Sequence, residues 1–322
     1  MWTGYTQRHL TRSINNNEVI HYPPFLGVEF KINQGENMLR LITITAVFMS
    51  LFAYQAMAAD ITPYGTFNYK WSHDENTSGV AHDKLENNGS ILGIDVIESF
   101  DEGSSISGIA KLEVGVDVDD SGSDTLDSRL AYVGIENNGV SITAGRQAHS
   151  WVSKTGNFEV YGSNAVFKYG DRSSNTIKLD NGSLSVMAMI DGSAGQDGID
   201  MWEGSLSHSM SGSDVSVGYA DDVVNDISYW GGGASTTVGD LTIASTYTVK
   251  DAATDLTGME ATIGWKALTV GYGDKEGTGT YMTYGLSHSM TDSLTVYAEM
   301  QQDDLDTGTD LQHYSAGAKF TF

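Results

Sequence analysis

The sequence contains no cysteine and only 3 prolines in 322 residues. No disulfide framework can therefore hold the fold, and the residue that most often interrupts a strand is almost missing. Basic residues are scarce as well, with 17 Lys and Arg against 42 Asp and Glu and a formal net charge of −25. A surface this acidic repels nucleic acid and attracts cations. After residue 58 no apolar run approaches the roughly 20 residues of a membrane-spanning helix.

What is present begins with an export signal in an unexpected place. From Met38, Arg40 supplies a short positive region, Leu41 to Ala53 is almost unbroken apolar sequence, and Ala56-Met57-Ala58 offers small residues at alternate positions. That order is a secretory signal over 38–58, too short for a retained anchor, with cleavage expected after Ala58. Gln34-Gly35-Glu36 can be encoded with a GGAG ribosome-binding sequence just ahead of Met38. Residues 1–37 are therefore expected to be translated leader; a genuine N-terminal extension is the alternative. Residues 59–322 form one large domain.

In that domain, 37 glycines and 16 tyrosines accompany a strict alternation of apolar and polar residues. Leu294, Val296, Ala298 and Met300 alternate with Thr295, Tyr297, Glu299 and Gln301, and Met259, Ala261, Ile263 and Trp265 alternate with Glu260, Thr262 and Lys266. Period two marks a strand with one oily and one hydrated face. Tight-turn residues such as Asn137-Asn138-Gly139, Asn181-Gly182 and Ser211-Gly212-Ser213 recur between longer polar segments. The count is about sixteen strands, joined alternately by short turns and longer loops.

The hydrated face carries Lys, Glu, Asp and Thr on nearly every strand, and no second sheet is available to cover it. An all-β, 16-stranded antiparallel transmembrane barrel with short periplasmic turns satisfies both faces, lipid outside and water inside. Closure pairs every backbone amide and leaves no open edge. Phe67, Tyr69, Trp71, Tyr219, Trp265 and Tyr272 suit the aromatic girdles of such a barrel.

The chain ends HYSAGAKFTF, with Tyr314, Ala316, Ala318, Phe320 and Phe322 on one face and a terminal aromatic. SRLAYVGI (128–135), ITAGRQ (142–147) and RSSNTIKL (172–179) flank the longest connection. With DITPYGTFNYKW after the cleavage site, these segments make the chain resemble a Gram-negative trimeric outer-membrane porin of the general diffusion family. The resemblance implies that the third extracellular loop folds inward to narrow the pore. It also implies that Phe322 is read by the barrel assembly machinery, and that the chain is a homotrimer amid lipopolysaccharide and outer-membrane lipid.

Alternation turns Lys70 inward opposite Phe67, Tyr69 and Trp71. With Leu130 and Tyr132 outward, Arg129 turns inward, and with Ile177 and Leu179 outward, Arg172 and Lys178 do so too. The resemblance implies that these cations face acids on the constriction loop, where Glu159 is the central carboxylate. Ile91 and Asp95 stand where the family usually places inward basic residues, and its proline–glutamate loop turn is missing. The thinned basic wall and the net charge predict cation preference, unless most of the charge sits on external loops. The same parity turns Arg146 toward lipid, at a cost of roughly 2–4 kcal/mol at mid-membrane. Either it meets Asp119 and Asp120 of a neighbouring subunit's acidic loop, where the family latches, or it snorkels to water at the rim.

Other signals fall away. DVDDSGSDTLDS (117–128) lacks the bidentate glutamate of a calcium loop, and GSAGQDGID stands as one copy without tandem neighbours. LSHSM occurs twice, but neighbouring Ser and His on a strand point to opposite faces. No metal, cofactor or catalytic residue is expected. The expectation is a passive outer-membrane channel for ions and small hydrophilic solutes, cations above all. An outer-membrane hydrolase barrel and a plugged structural or adhesive barrel are the alternatives, and alternation offers the hydrolase no Ser, His and acid on one face.

Overall fold

The structure, a computed structural model, describes residues 59–101, 103–117, 125–150, 165–192 and 198–322. The expected leader and signal, together with Asp119, Asp120 and Glu159, lie outside the described residues. The alternating segments become antiparallel strands: β1 (Ala59–Glu75), β2 (Ala81–Asn87), β3 (Ile91–Ser99), β4 (Ile106–Val116), β5 (Leu126–Asn137) and β6 (Val140–Ala148). Beyond the longest connection follow β7 (Arg172–Asp180), β8 (Leu184–Met189), β9 (Met201–Met210), β10 (Ser213–Asp222), β11 (Ile227–Val238) and β12 (Leu241–Asp251). The last five are β13 (Leu256–Trp265), β14 (Leu268–Lys275), β15 (Gly279–Ser289), β16 (Leu294–Leu305) and β17 (Thr309–Thr321). Residues 59–66 of β1 pair with β3 and residues 69–75 pair with β2, so β2 and β3 are two halves of one barrel strand. Counted that way, the barrel has sixteen strands.

Closure comes from β1 pairing antiparallel with β17. Gly65 N–H donates to Phe322 O at 3.0 Å and Phe322 N–H returns a bond to Gly65 O at 3.1 Å. Phe322 stacks on Phe67 with ring centroids 6.0 Å apart. Inside the seam, Tyr297 OH donates to Asn68 Oδ1 at 2.8 Å and Asn88 Nδ2 donates to Tyr297 OH at 2.9 Å, tying β16 to β1 and to the link between β2 and β3. A Cβ on Gly65 would lie 2.5 Å from the Phe322 ring. Gly65→Val is therefore expected to lower the yield of closed barrel, read as loss of the heat-sensitive compact band on gels.

The two faces separate as the alternation requires. Val133, Val217 and Ile263 are more than half exposed on the outside, whereas the fully buried side chains include Glu203, Glu260, Thr246, Thr248 and Thr283. An exposed apolar exterior around a polar interior is the inverse of a soluble sandwich, and it suits lipid. Asn138 and Gly139 both have positive φ (51° and 78°), as do Ser211 and Gly212 (47° and 83°). Positive φ at both central residues is the two-residue hairpin that matches strand twist.

One rim differs from the expectation of longer loops throughout. Connections 76–80, 117–125, 149–171 and 190–200 are longer, but 223–226, 252–255, 276–278 and 306–308 are as short as the turns of the opposite rim. Here the ladder continues into acidic residues: Asp221, Asp222, Asp251, Asp274, Asp303 and Asp304 all belong to strand ends. Charged residues do not stop a strand that has left the lipid, because its backbone still gains from pairing.

Candidate functional site

Strand alternation places Trp202 and Leu206 outside, so Glu203 and Ser205 point into the barrel. An inward side chain in a hollow barrel stays wet unless something covers it, yet Glu203 is fully buried. The cover is the start of the 149–171 connection. His149 Nδ1 lies 2.9 Å from Glu203 Oε2, and Ser150 N–H donates to Glu203 Oε1 at 2.6 Å. His149 Nε2 lies 2.9 Å from Ser173 Oγ, and Ser150 Oγ meets Ser185 Oγ at 2.5 Å.

The end of the same connection lies against a different part of the wall. Ala165 N–H donates to Glu260 Oε1 at 2.8 Å, Tyr281 OH donates to the same oxygen, and Phe167 N–H donates to Thr248 Oγ1 at 2.9 Å. Small residues make room for this approach: Gly258 faces Ala165 so closely that a Cβ would lie 1.9 Å from its carbonyl oxygen. The chain then returns past Tyr169, whose ring meets the edge of His149 at 5.2 Å and that of Tyr229 at 6.4 Å. Burial, then the charge of Asp222, pushes the Tyr169 phenol up, while the Lys168 ammonium bonded to Asp171 holds that carboxyl below its usual range.

Several inward charges elsewhere come in pairs. On β1 to β5, Lys70 lies 3.4 Å from Glu86, Lys84 2.7 Å from Glu86 and 3.4 Å from Asp74, Lys111 3.0 Å from Asp95, and Arg129 2.7 Å from Glu113. Tyr64 OH also donates to Glu113 at 2.9 Å. His313 on β17 lies 3.2 Å from both Asp74 and Asp303. Asp95, noted as a departure from a basic lining, is the partner of a lysine one strand away.

The residues singled out from sequence fall into different settings. Lys70 and Lys178 sit on the inner face, Lys178 3.8 Å from Asp180. Arg129 reaches the interior, but not by simple alternation. The ladder slips between Glu113 and Val114, so Leu130 and Tyr132 lie opposite Glu113 and Lys111 on the inner face, contrary to their expected outward direction. Arg172 and Lys178 do not share a phase either. The β6–β7 ladder slips between Gly145 and Gln147, and Asn175 adopts φ 58°. Ser173 therefore joins Thr176 and Lys178 inside, and Arg172, opposite Ala148, falls out of step. Arg146 finds partners in its own chain: Nε donates to Ser128 O and Nη1 to Ser174 Oγ, both at 3.1 Å.

His149 and Glu203 went unnoticed in the sequence, and Glu260 stood out only as one polar residue of an alternating strand. An acid in the middle of an inner face, as in MWEGSLSHSM, was the available signal; its partner more than fifty residues away was not. Ser173, His149 and Glu203 also make the Ser–His–acid arrangement that alternation alone did not supply.

The Gram-negative porin family model matches residues 44–322, and the chain belongs to that family. Among solved structures it is similar to the anion-selective porin from Comamonas acidovorans (TM-score 0.67, 14% identity, covering 82% of this chain and 100% of that one). It is similar too to the trimer form of OmpT, an outer membrane protein of Vibrio cholerae (TM-score 0.63, 16% identity, 83% and 100% covered). A third is Salmonella typhi OmpF in complex with daunomycin (TM-score 0.66, 12% identity, 82% and 98% covered). A search of curated proteins finds no match. The protein is an outer-membrane porin, a transmembrane β-barrel channel.

Proposed function

We propose that this porin is a passive, cation-preferring homotrimeric channel for ions and small hydrophilic solutes, with no catalytic step. The observation that carries the ion preference is the pairing of inward cations on β1 to β5 with carboxylates of the same wall. A paired lysine or arginine offers little free positive potential, and the chain as a whole carries a net charge of −25. Lys70, Arg129 and Lys178 are the proposed cations of the narrow region, with Arg172 beside Asp171 at the end of the long connection, and Glu159 is the proposed acid of that connection.

Trimer contact would use the outer face of β3 to β8. The strands of that stretch hold a single aromatic, Tyr132, and it faces inward. Aromatic belts mark lipid interfaces, so a face without them suits a protein neighbour. Its centre is a shallow apolar groove beside Ala110, Ala131 and Ala144, walled by Ile94, Val96 and Val133. Arg146, opposite Ala131 on the neighbouring strand, lies beside it, and Asp119 and Asp120 of a neighbouring subunit are its proposed partners. The acidic strand ends suit divalent cations bridging to lipopolysaccharide, and Phe322 suits recognition by the assembly machinery.

A hydrolase gains one observation, the Ser173–His149–Glu203 arrangement. Against it, His149 is fully buried against the Tyr169 ring and Ser173 is buried as well. Reconstitution in a planar bilayer under a salt gradient tests the channel reading. A steady current with a reversal potential of cation-selective sign is expected, and the opposite sign would refute the charge argument. Arg129→Gln frees Glu113 from its cation and is expected to move the reversal potential further in the cation direction.

A further inference from the structure

We propose that His149, Glu203 and Ser173 form a latch that fixes the root of the long connection and holds the pore at a single aperture. The proposal rests on the channel reading above and adds the residues that set its width. The chain leaves β6 at His149, where one backbone bond, from its N–H to Asp171 O at 3.0 Å, ties the two ends of the connection together. The side chains do the rest. Both ring nitrogens of His149 are engaged, one by a carboxylate and one by a hydroxyl. Both oxygens of Glu203 are engaged, and both by the root: Oε2 by His149 and Oε1 by the N–H of Ser150.

That exclusivity is what makes a latch. Glu203 is fully buried on the inner wall, where an unpartnered carboxylate is strongly disfavoured. If the root lifts away, the carboxylate loses every bond described for it at once. The wall and the root therefore separate only together with the exposure of a charge, which favours one seated position over a continuum. The end of the connection repeats the device on β13, where buried Glu260 accepts the N–H of Ala165. Two buried carboxylates, four strands apart, thus each receive main-chain N–H from the connection.

The geometry also resembles a nucleophile–base–acid relay, but the Tyr169 ring lies against His149 and all three residues are buried, which favours a positional use.

The absence of cysteine allows a direct test. Ser150 and Ser185 meet hydroxyl to hydroxyl, so Ser150→Cys/Ser185→Cys brings two thiols within bonding reach at the root. The wild type, Glu203→Gln, His149→Ala, and Glu203→Gln on the double-cysteine background are reconstituted, with assembly checked by gel mobility without heating. The wild type is expected to show one steady conductance level and one size cut-off for neutral polymers. Glu203→Gln and His149→Ala are expected to lose the single level, flickering among several, and to admit larger polymers. Oxidation of the double-cysteine Glu203→Gln protein is expected to restore the single level, and reduction to abolish it again, a reversal that general destabilisation does not produce. Should Glu203→Gln fail to assemble, His149→Ala on the same background carries the test. Wild-type levels and cut-off in both single variants, or indifference to oxidation, would overturn the latch. Ser173-dependent turnover of a small chromogenic ester by the wild type would overturn it in favour of catalysis. A wild type without any conductance would refute the channel reading itself.

Discussion

Gly258→Val is expected to displace the end of the long connection and to change both the unit conductance and the solute cut-off. Gly258 faces inward on β13, opposite Thr248 and Lys275, and Ala165 packs directly over it. Any Cβ at this position would lie 1.9 Å from the Ala165 carbonyl oxygen and 3.1 Å from Thr248 Oγ1. The first of these is backbone and cannot swing aside as a side-chain tip would. Overpacking of this kind costs about 1–3 kcal/mol when the structure absorbs it. Moving 165–167 off the wall relieves the clash at the price of the Ala165–Glu260 and Phe167–Thr248 bonds. The same inner face of β13 supplies a control. A Cβ on Gly264 meets nothing closer than 3.8 Å, so Gly264→Ala is expected to conduct like the wild type. Chemical unfolding with single-channel recording on both variants separates loop displacement from loss of the barrel. Equal conductance in Gly258→Val and wild type would mean that the connection does not lie against this wall.

Much of the barrel was legible because alternation is a local signal. Ile263 and Trp265 face out, Glu260 faces in, and Asn138-Gly139 turns the chain, all from neighbours within a few residues. Alternation fails where a strand carries an extra residue. Nothing in SRLAYVGI announces that the ladder slips beside Glu113, yet that slip reverses Leu130 and Tyr132 while leaving Arg129 inside. The slip near Gly145 and the left-handed Asn175 do the same between Arg172 and Lys178. Bulges depend on what the neighbouring strand offers, so one strand's sequence is silent about them.

Long-range pairing was hidden for a related reason. Nothing local singles out His149 or Glu203, which lie fifty-four residues apart. Only the barrel's curvature brings them together. Likewise Asp95 looked like a hole in a basic wall until Lys111 was found 3.0 Å away. Charge counted along a sequence therefore overstates the free potential in a pore, because inner-wall neighbours on adjacent strands cancel one another before a permeating ion arrives.

An arginine placed on the barrel's exterior is expected to distinguish a lipid-facing surface from a subunit-facing one. Val133 on β5 and Ile263 on β13 are both exposed in the isolated chain and both lie within the body of a strand. They differ in surroundings. The outer face around Ile263 carries Trp230, Tyr247, Trp265 and Tyr272, whereas that around Val133 carries Ile94, Ala110, Ala131 and Ala144. Ile263→Arg sets a charge against lipid and is expected to lower barrel stability by about 2–4 kcal/mol at mid-membrane while the trimer persists. Val133→Arg sets an unpartnered charge into the proposed subunit contact, where an uncompensated buried charge costs about 3–5 kcal/mol and falls on association. It is expected to yield folded monomer. Unheated gel mobility and cross-linking report the oligomer, and unfolding in lipid vesicles reports the barrel. If Ile263→Arg dissociates the trimer while Val133→Arg leaves it whole, the aromatic-free face is the one that lipid covers, and the subunits meet on the other side.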